Sequence, residues 1–403
     1  MRGMRRLSIL FSLLLVCPLL AQKHRPSATL PTTIRIGGLF ATTGGGATLG
    51  NASVAALDLA AQDINAEMTA LRLPYRVETD SQDTGQVPAT ALARLMSMAA
   101  NNDAYAIGPQ TSSEAAAVRD YADSHNIILV SQGSTASSLA IPGDNLFRLA
   151  PNDKLEGAAI AALMHGDGFD TVVPIWRNDA GNNGLHDSTT ASFTALGGTV
   201  APGVQYDTST TNFAATVNAL GAAVRSIKNS KPSAKIAIYV ASFEEAVSIF
   251  DLARLDADLA GVRWYGGDGV VQSQAILADA NAAAFAAATQ FTAPNVGLDD
   301  ATKDVWKPVS DAIQARVGFA PDAYSLSVYD AAWVIALSFV ESHGSSDLRR
   351  EAFVRNIQRY WGVTGSTALD VNGDRKSGNF DFWTVKDGQW ARTAQYVGGH
   401  VAR

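Results

Sequence analysis

Residues 105–135, YAIGPQTSSEAAAVRDYADSHNIILVSQGST, carry the groups of this chain best suited to holding a small polar molecule. Thr111, Ser112 and Ser113 follow one apolar strand-like run; Ser131, Gly133, Ser134 and Thr135 follow a second. Thr111-Ser112-Ser113-Glu114 has the T-x-x-E spacing of a capping box, which opens a helix. A helix start presents unpaired N–H groups and positive dipole, so a carboxylate is a natural guest there. In open α/β sheets small ligands bind outside the carboxyl ends of strands, where both of these turns fall. Taken in isolation, the same residues also read as ordinary caps and turns.

Other constellations are weaker. No H-E-x-x-H, G-x-S-x-G or Walker loop is present, and Gly44-Gly45-Gly46 is followed by no lysine that would complete a phosphate cradle. His125, His165, His186 and His343 are scattered without metal-ligand spacing. Asp370, Asn372 and Asp374 alternate as in a calcium loop but lack its glycine spacing and distal glutamate, so a hairpin turn is the better reading. Tyr329-Asp330 reads as packing between a late helix and its lobe. No metal, no cofactor and no catalysis are expected. A Ser–His–Asp arrangement assembles only in space, which keeps a hydrolase as an alternative of another class.

The chain begins with Arg2, Arg5 and Arg6 ahead of an apolar run from Leu7 to Leu20, the layout of a secretory signal over residues 1–22. Cys17 is the sole cysteine and lies inside that run, leaving the mature chain no disulfide or cysteine nucleophile. Lipidation of Cys17 is disfavoured by Val16, which stands where a small residue is wanted. A net charge of −7 and few lysines argue against nucleic acid, and no basic run marks a membrane surface. No long apolar stretch is read after the signal. A periplasmic or secreted, monomeric protein is expected.

Strand-like runs alternate with helix-like runs almost to the carboxyl end. Residues 34–40, 75–80, 105–108, 127–131, 171–177, 235–241 and 263–266 read as strands. Helical spacing occupies 52–69, 88–100, 113–124, 153–167, 185–196, 212–226 and 244–253. This alternation predicts an α/β fold with largely parallel sheets covered on both faces. So many strands in about 380 residues suit two doubly wound, Rossmann-like lobes better than one wide sheet. Residues 145–152 read as the first crossing between lobes, with 281–294 and 361–366 as further crossings. Residues 369–383 read as a hairpin turning at 372–374. No internal repeat is visible.

The ordered blocks resemble a known family. IRIGGLFATTGGGATLGNASVAALDLAAQDIN, the acidic turn Asp80-Ser81-Gln82-Asp83, YAIGPQTSSEAAAV, IILVSQGST, Trp264-Tyr265-Gly266-Gly267-Asp268-Gly269, YSLSVYDAAWVIALSFVE and DVNGDRKSGNFDFW follow one another as in the type I periplasmic binding proteins, specifically the leucine/isoleucine/valine-binding group. The resemblance covers residues 33–397 and implies two lobes joined by three crossovers around a ligand cleft. It assigns 33–148 with 292–363 to one lobe and 149–291 with 364–398 to the other.

The resemblance further implies an amino acid or amide-like ligand and delivery to an ABC permease in the membrane. A sensing role for a receptor or regulatory partner is the alternative. Carried over by position, Ser112 would meet the ligand's carboxylate. Gly133, Ser134 and Thr135 would add main-chain groups and a hydroxyl, and Asp268 would pair with the ammonium. Leu49 and Gly181 stand where amino-acid binders carry tyrosines, and the tyrosine position near Ser242-Phe243 is altered too. Trp176, Phe243 and Tyr265 are the aromatics available to rebuild that wall, Trp176 and Phe243 being the ones taken as ligand contacts.

Overall fold

The computed structural model describes residues 33–376 and 378–403, so the signal read at 1–22 lies outside the described residues. The first sheet contains β1 (Thr33–Phe40), β2 (Arg76–Asp83), β3 (Tyr105–Ile107), β4 (Ile128–Ser131) and β5 (Leu146–Arg148). All five are parallel, in the order β2-β1-β3-β4-β5. Between them run α1 (Ala47–Ala70), α2 (Pro88–Ala100) and α3 (Ser112–Ser124). The two faces divide by the period of two along each strand. Ile36, Ile107 and Val130 join Leu57 and Ile64 in one core, whereas Leu39, Ala106 and Leu129 join Leu95 and Val118 in another. The order reverses between β1 and β3, which opens a crevice at their carboxyl ends.

The chain then crosses to a second sheet. Its strands β6 (Thr171–Asn178), β7 (Thr199–Val200), β8 (Val204–Asp207), β9 (Ile236–Ala241), β10 (Arg263–Gly266) and β11 (Thr292–Val296) are parallel, with β7 and β8 both on β6 and the rest in the order β6-β9-β10-β11. Helices α4 (Asp153–Gly166), α5 (Ala180–Ala195), α6 (Ala214–Ser230), α7 (Ala246–Ala253), α8 (Ala257–Ala260), α9 (Gln274–Ala278) and α10 (Ala280–Ala288) lie along it. The winding of the first sheet recurs here, with the reversal between β6 and β9, although no repeat is visible in the residues. The short strands β7 and β8 escaped the sequence reading.

Thr292–Val296 belongs to this second sheet and not to the first. The chain returns through α11 (Lys303–Val317), α12 (Ala323–Ser342), α13 (Arg349–Ile357) and the small ribbon β12 (Trp361–Gly362) with β13 (Gly365–Ser366). α12 is long and apolar enough to cross a membrane by composition alone, which corrects the expectation of no long apolar stretch. It is apolar nearly all round because it is buried nearly all round, against α1 in the first lobe's core. Leu369 also sits in that core.

The hairpin expected at 369–383 is displaced. Residues 370–374 form a turn in which Asp370 Oδ1 accepts the N–H groups of Asn372 and Asp374. The true hairpin joins β14 (Phe380–Lys386), which pairs antiparallel with β11, to β15 (Gln389–Val397), with β16 (His400–Ala402) antiparallel beyond β15. Its turn is Asp387-Gly388, both with positive φ, the Asp-Gly signature of a two-residue hairpin loop.

At the crossings, β5 meets the returning chain. Arg148 N–H donates to Gly373 O, Arg375 N–H to Arg148 O, and the Arg148 guanidinium forks onto Asp374 at 2.6 Å through both Nε and Nη2. Both side chains are 1% exposed. Asp330 of α12 pins the neighbouring ribbon by accepting from Val363 N–H, Thr364 N–H and Thr364 Oγ1, in keeping with the packing role read from its sequence.

Candidate functional site

A cavity of about 80 Å³ lies between the lobes, lined from the first by the segments after β1, β3 and β4 and from the second by those after β6, β9 and β10. By the one-sphere-per-water measure it has room for roughly five to eight waters, the size of a small amino acid. It therefore sits at both reversal points at once.

The first-lobe side is built on the start of α3. Thr111 caps that helix: its Oγ1 accepts Glu114 N–H while Glu114 Oε2 accepts Thr111 N–H, which completes the expected capping box. Ser112 is thereby fixed at the first helical position. Its Oγ accepts from Ser134 Oγ at 3.1 Å, Thr135 N–H at 3.2 Å and Ala136 N–H at 3.1 Å. One hydroxyl thus organises the whole 134–136 loop and keeps its own proton for another acceptor. Ser112, Gly133 and Thr135 line the cavity; Ser134 does not, being fully buried behind Ser112. Gln110 is locked between Ala41 N–H and Gly46 O and walls one side.

The second-lobe side centres on Asp268, directly after β10. Its Oδ2 accepts the Tyr324 hydroxyl at 2.9 Å, a bond that spans the lobes because Tyr324 opens α12. Its N–H donates to Glu156 Oε1 at 2.9 Å. Burial pushes the Asp268 carboxyl up to about 6, against the Tyr324 hydroxyl and Gly269 N–H, which favour the ionised form. Glu156 and Asp153, both in the first turn of α4, are buried beneath it. Burial raises Glu156 well above the usual carboxylate range and Asp153 to about 7, with the charge of Asp268 pushing the same way. Among the described residues Glu156 Oε2 meets no hydrogen-bond partner. Asp322 caps α12 through Ser325 N–H and is also raised by burial. No Lys, Arg or His lines the cavity among the described residues. The site is therefore donor-rich on one side and acidic on the other, the polarity a zwitterion needs.

Further lobe-to-lobe bonds close the cleft. Thr48 Oγ1 donates to Glu244 Oε1 at 2.5 Å, Gln274 N–H to Thr48 Oγ1 at 3.3 Å, and Ala180 N–H to Ser113 Oγ at 3.2 Å.

Of the aromatics, Phe243 lines the cavity, with the Arg177 guanidinium 5.5 Å from its ring centroid. Trp176 does not line it: its ring stacks on His186 and its Nε1 donates to Asn183. Tyr265 is fully buried and bonds Asp167. Leu49 and Gly181 both line the space, and a Cβ at Gly181 would lie 3.4 Å from Ser112 Oγ, so the glycine keeps that wall open. Sequence reasoning missed Tyr324, Glu156, Asp153 and Glu244. The Asp322-x-x-Ser325 cap that precedes α12 was a usable signal for Tyr324; nothing local reveals how deep Glu156 lies. No group of three or more His, Cys, Asp or Glu has metal-binding geometry among the described residues.

The family model for the receptor family ligand binding region matches residues 52–388. An uncharacterized protein of Methanocaldococcus jannaschii is 26% identical over 383 residues, covering 90% of this chain and 89% of that protein. Glutamate receptor 3.4 of Arabidopsis thaliana is 29% identical over 167 residues, 40% of this chain and 17% of the receptor. Among solved structures, the leucine-binding protein LivK of Thermotoga maritima superposes with a TM-score of 0.76 at 19% identity, covering 91% of this chain and 99% of that one. The branched-chain amino acid substrate-binding protein LivJ of Streptococcus pneumoniae, in complex with isoleucine, gives 0.74 at 21%, with 92% and 99% covered. A solute-binding protein of R. palustris in complex with benzoate gives 0.73 at 18%, with 91% and 96% covered.

Proposed function

Because the chain belongs to the receptor ligand-binding-region family and has the type I periplasmic binding protein fold, we propose that it is an extracytoplasmic solute-binding protein for a small amino acid. The observation that carries this reading is the opposed chemistry of the cavity. Ser112 with Thr135 and Gly133 faces Asp268 across a space of amino-acid size. Ser112 Oγ and Thr135 Oγ1 hold the carboxylate; Asp268 takes the ammonium, and charge-assisted bonds of this kind are the strong ones.

Capture proceeds by closure. A ligand that touches both lobes binds the closed form more tightly and shifts the population toward it. The Tyr324–Asp268 bond then aligns the carboxylate from the opposite lobe. Presentation of the closed form to an ABC permease follows from the role carried by structurally similar binding proteins. Binding occurs without turnover, in a monomer outside the cytoplasmic membrane. Lobe assignments of 33–148 with about 297–375, and 149–296 with about 379–402, complete the reading.

Thermal shift of the refolded, ligand-stripped protein against amino acids, amides and aromatic acids tests it. A stabilising hit among amino acids supports the zwitterion site, since binding to the native state raises Tm by mass action. Hits confined to neutral amides or aromatic acids would keep solute binding and discard the polarity assigned to Asp268. The match to a plant glutamate receptor favours a second reading, a ligand sensor for a receptor partner. Unchanged uptake of labelled ligand in cells lacking the protein would favour that reading over transport.

A further inference from the structure

The proposed amino-acid head uses Ser112, Thr135 and Asp268, and leaves the other end of the cavity unassigned. Gly45, Gln86 and Glu244 line that end and also border an adjoining opening toward Arg177 and Thr208, which Ser112, Thr135 and Asp268 do not reach. Any side chain of the ligand that leaves the head for this opening therefore meets Glu244.

Glu244 is half-spent. Thr48 Oγ1 and Ser273 Oγ both donate to its Oε1, at 2.5 and 3.1 Å, and among the described residues no protein group donates to Oε2. Burial pushes its carboxyl above the usual range, against those two donors. Its cationic neighbour is committed elsewhere: Arg177 pairs with Asp179 at 2.9 Å and Glu245 at 3.2 Å. Gln86 makes no hydrogen bond through its amide among the described residues, and its Nε2 would lie 2.6 Å from a Cβ at Gly46, so the missing side chain there is what admits it. A partly buried carboxyl with an unused oxygen beside an unused amide carries a desolvation cost unless something donates to it. With Asp268 assigned to the ammonium and Asp322 capping α12, Glu244 is the wall carboxyl that also borders the opening.

We propose that Glu244 determines specificity, and that the ligand is an α-amino acid with a cationic side chain whose terminal nitrogen donates to Glu244 Oε2 beside the Gln86 amide oxygen. This rests on the reading of the cavity as an amino-acid site and adds the substrate class. Aliphatic side chains would leave both groups unpaired, and a site built for a donor rejects an analogue that lacks it.

Calorimetry at pH 8 on the stripped protein, with lysine, ornithine and arginine against norleucine, leucine and glutamine, decides it. Norleucine matches lysine without the nitrogen. The expected result is that at least one cationic amino acid binds tenfold or more tighter than norleucine, and that E244Q removes most of this preference while norleucine stays within threefold. Norleucine or leucine binding as tightly as every cationic member would overturn this proposal and leave the amino-acid reading standing. No binding by any amino acid would sink both. A uniform loss across ligands in E244Q would make Glu244 only a latch on Thr48. If E244Q does not fold, the wild-type panel decides alone.

Discussion

Glu156, a fully buried carboxyl on α4, accepts the backbone N–H of Asp268 at 2.9 Å. It thus sets the position of the loop whose side chain faces the ligand. Burial holds Glu156 far above the ordinary carboxylate value, so in the fold it keeps its proton long after the unfolded chain has lost its own. Stability from this group is full below the unfolded pKa and is lost as pH rises toward the folded value. Glu156→Gln mimics the protonated form and removes that loss. The melting temperatures of variant and parent are expected to agree near pH 4, with the variant increasingly higher toward pH 8. A variant equally destabilised at every pH would show that the carboxyl, not its proton, is what the loop requires.

Binding of an amine-bearing ligand is itself expected to depend on pH. Asp268 is raised to about 6 by burial, and an ammonium beside it favours its ionised form. Affinity should therefore fall as pH drops below about 6, by up to tenfold per unit. Binding at pH 6 should release protons, read as a buffer-dependent enthalpy in calorimetry. Flat affinity from pH 5 to 8 would remove Asp268 from the ligand's charge partner list.

Asp268→Asn keeps an oxygen for the Tyr324 hydroxyl and so is expected to fold. It removes the charge, and a buried hydrogen-bonded charge pair truncated on one side costs about 2–5 kcal/mol in affinity. Titration with the ligand found in the thermal screen measures it. Affinity equal to the parent protein's would refute the ammonium role.

Ser112→Ala acts in two places. It removes a donor to the ligand's carboxylate, a net loss of about 1–2 kcal/mol, and it leaves Thr135 N–H and Ala136 N–H without their acceptor. Both a weaker ligand and a lower Tm are expected. Comparing the ligand with its carboxylate-free amine separates the two effects. If both lose affinity equally, Ser112 only organises the loop and does not touch the carboxylate.

Much of this arrangement is legible in the residues themselves. The T-x-x-E box at Thr111 and the alternating strands and helices are local signals, each decided by its immediate neighbours in sequence, whereas Gly181 was singled out by the resemblance. Ser112, Gly133, Thr135, Asp268 and Phe243 line one cavity because each follows the carboxyl end of a strand. Trp176 stands near the carboxyl end of β6, yet its ring turns to stack on His186 and does not line the cavity. The depth of Glu156 was invisible because an acid in a first helical turn reads as dipole compensation. Its hydrogen-bond partner, the Asp268 N–H, lies 112 residues further along the chain. Asp374 was taken for part of a hairpin turn because its partner, Arg148, lies 226 residues earlier.

Arg148 has a mechanical consequence. Its guanidinium holds Asp374 on the returning chain, and its Nη1 also donates to Ala136 O at 2.7 Å and Ser134 O at 3.4 Å, the carbonyls on either side of Thr135. One buried side chain thus joins the returning chain to the loop that carries Thr135, so that loop beside the cavity and the chain at the crossings share a single anchor.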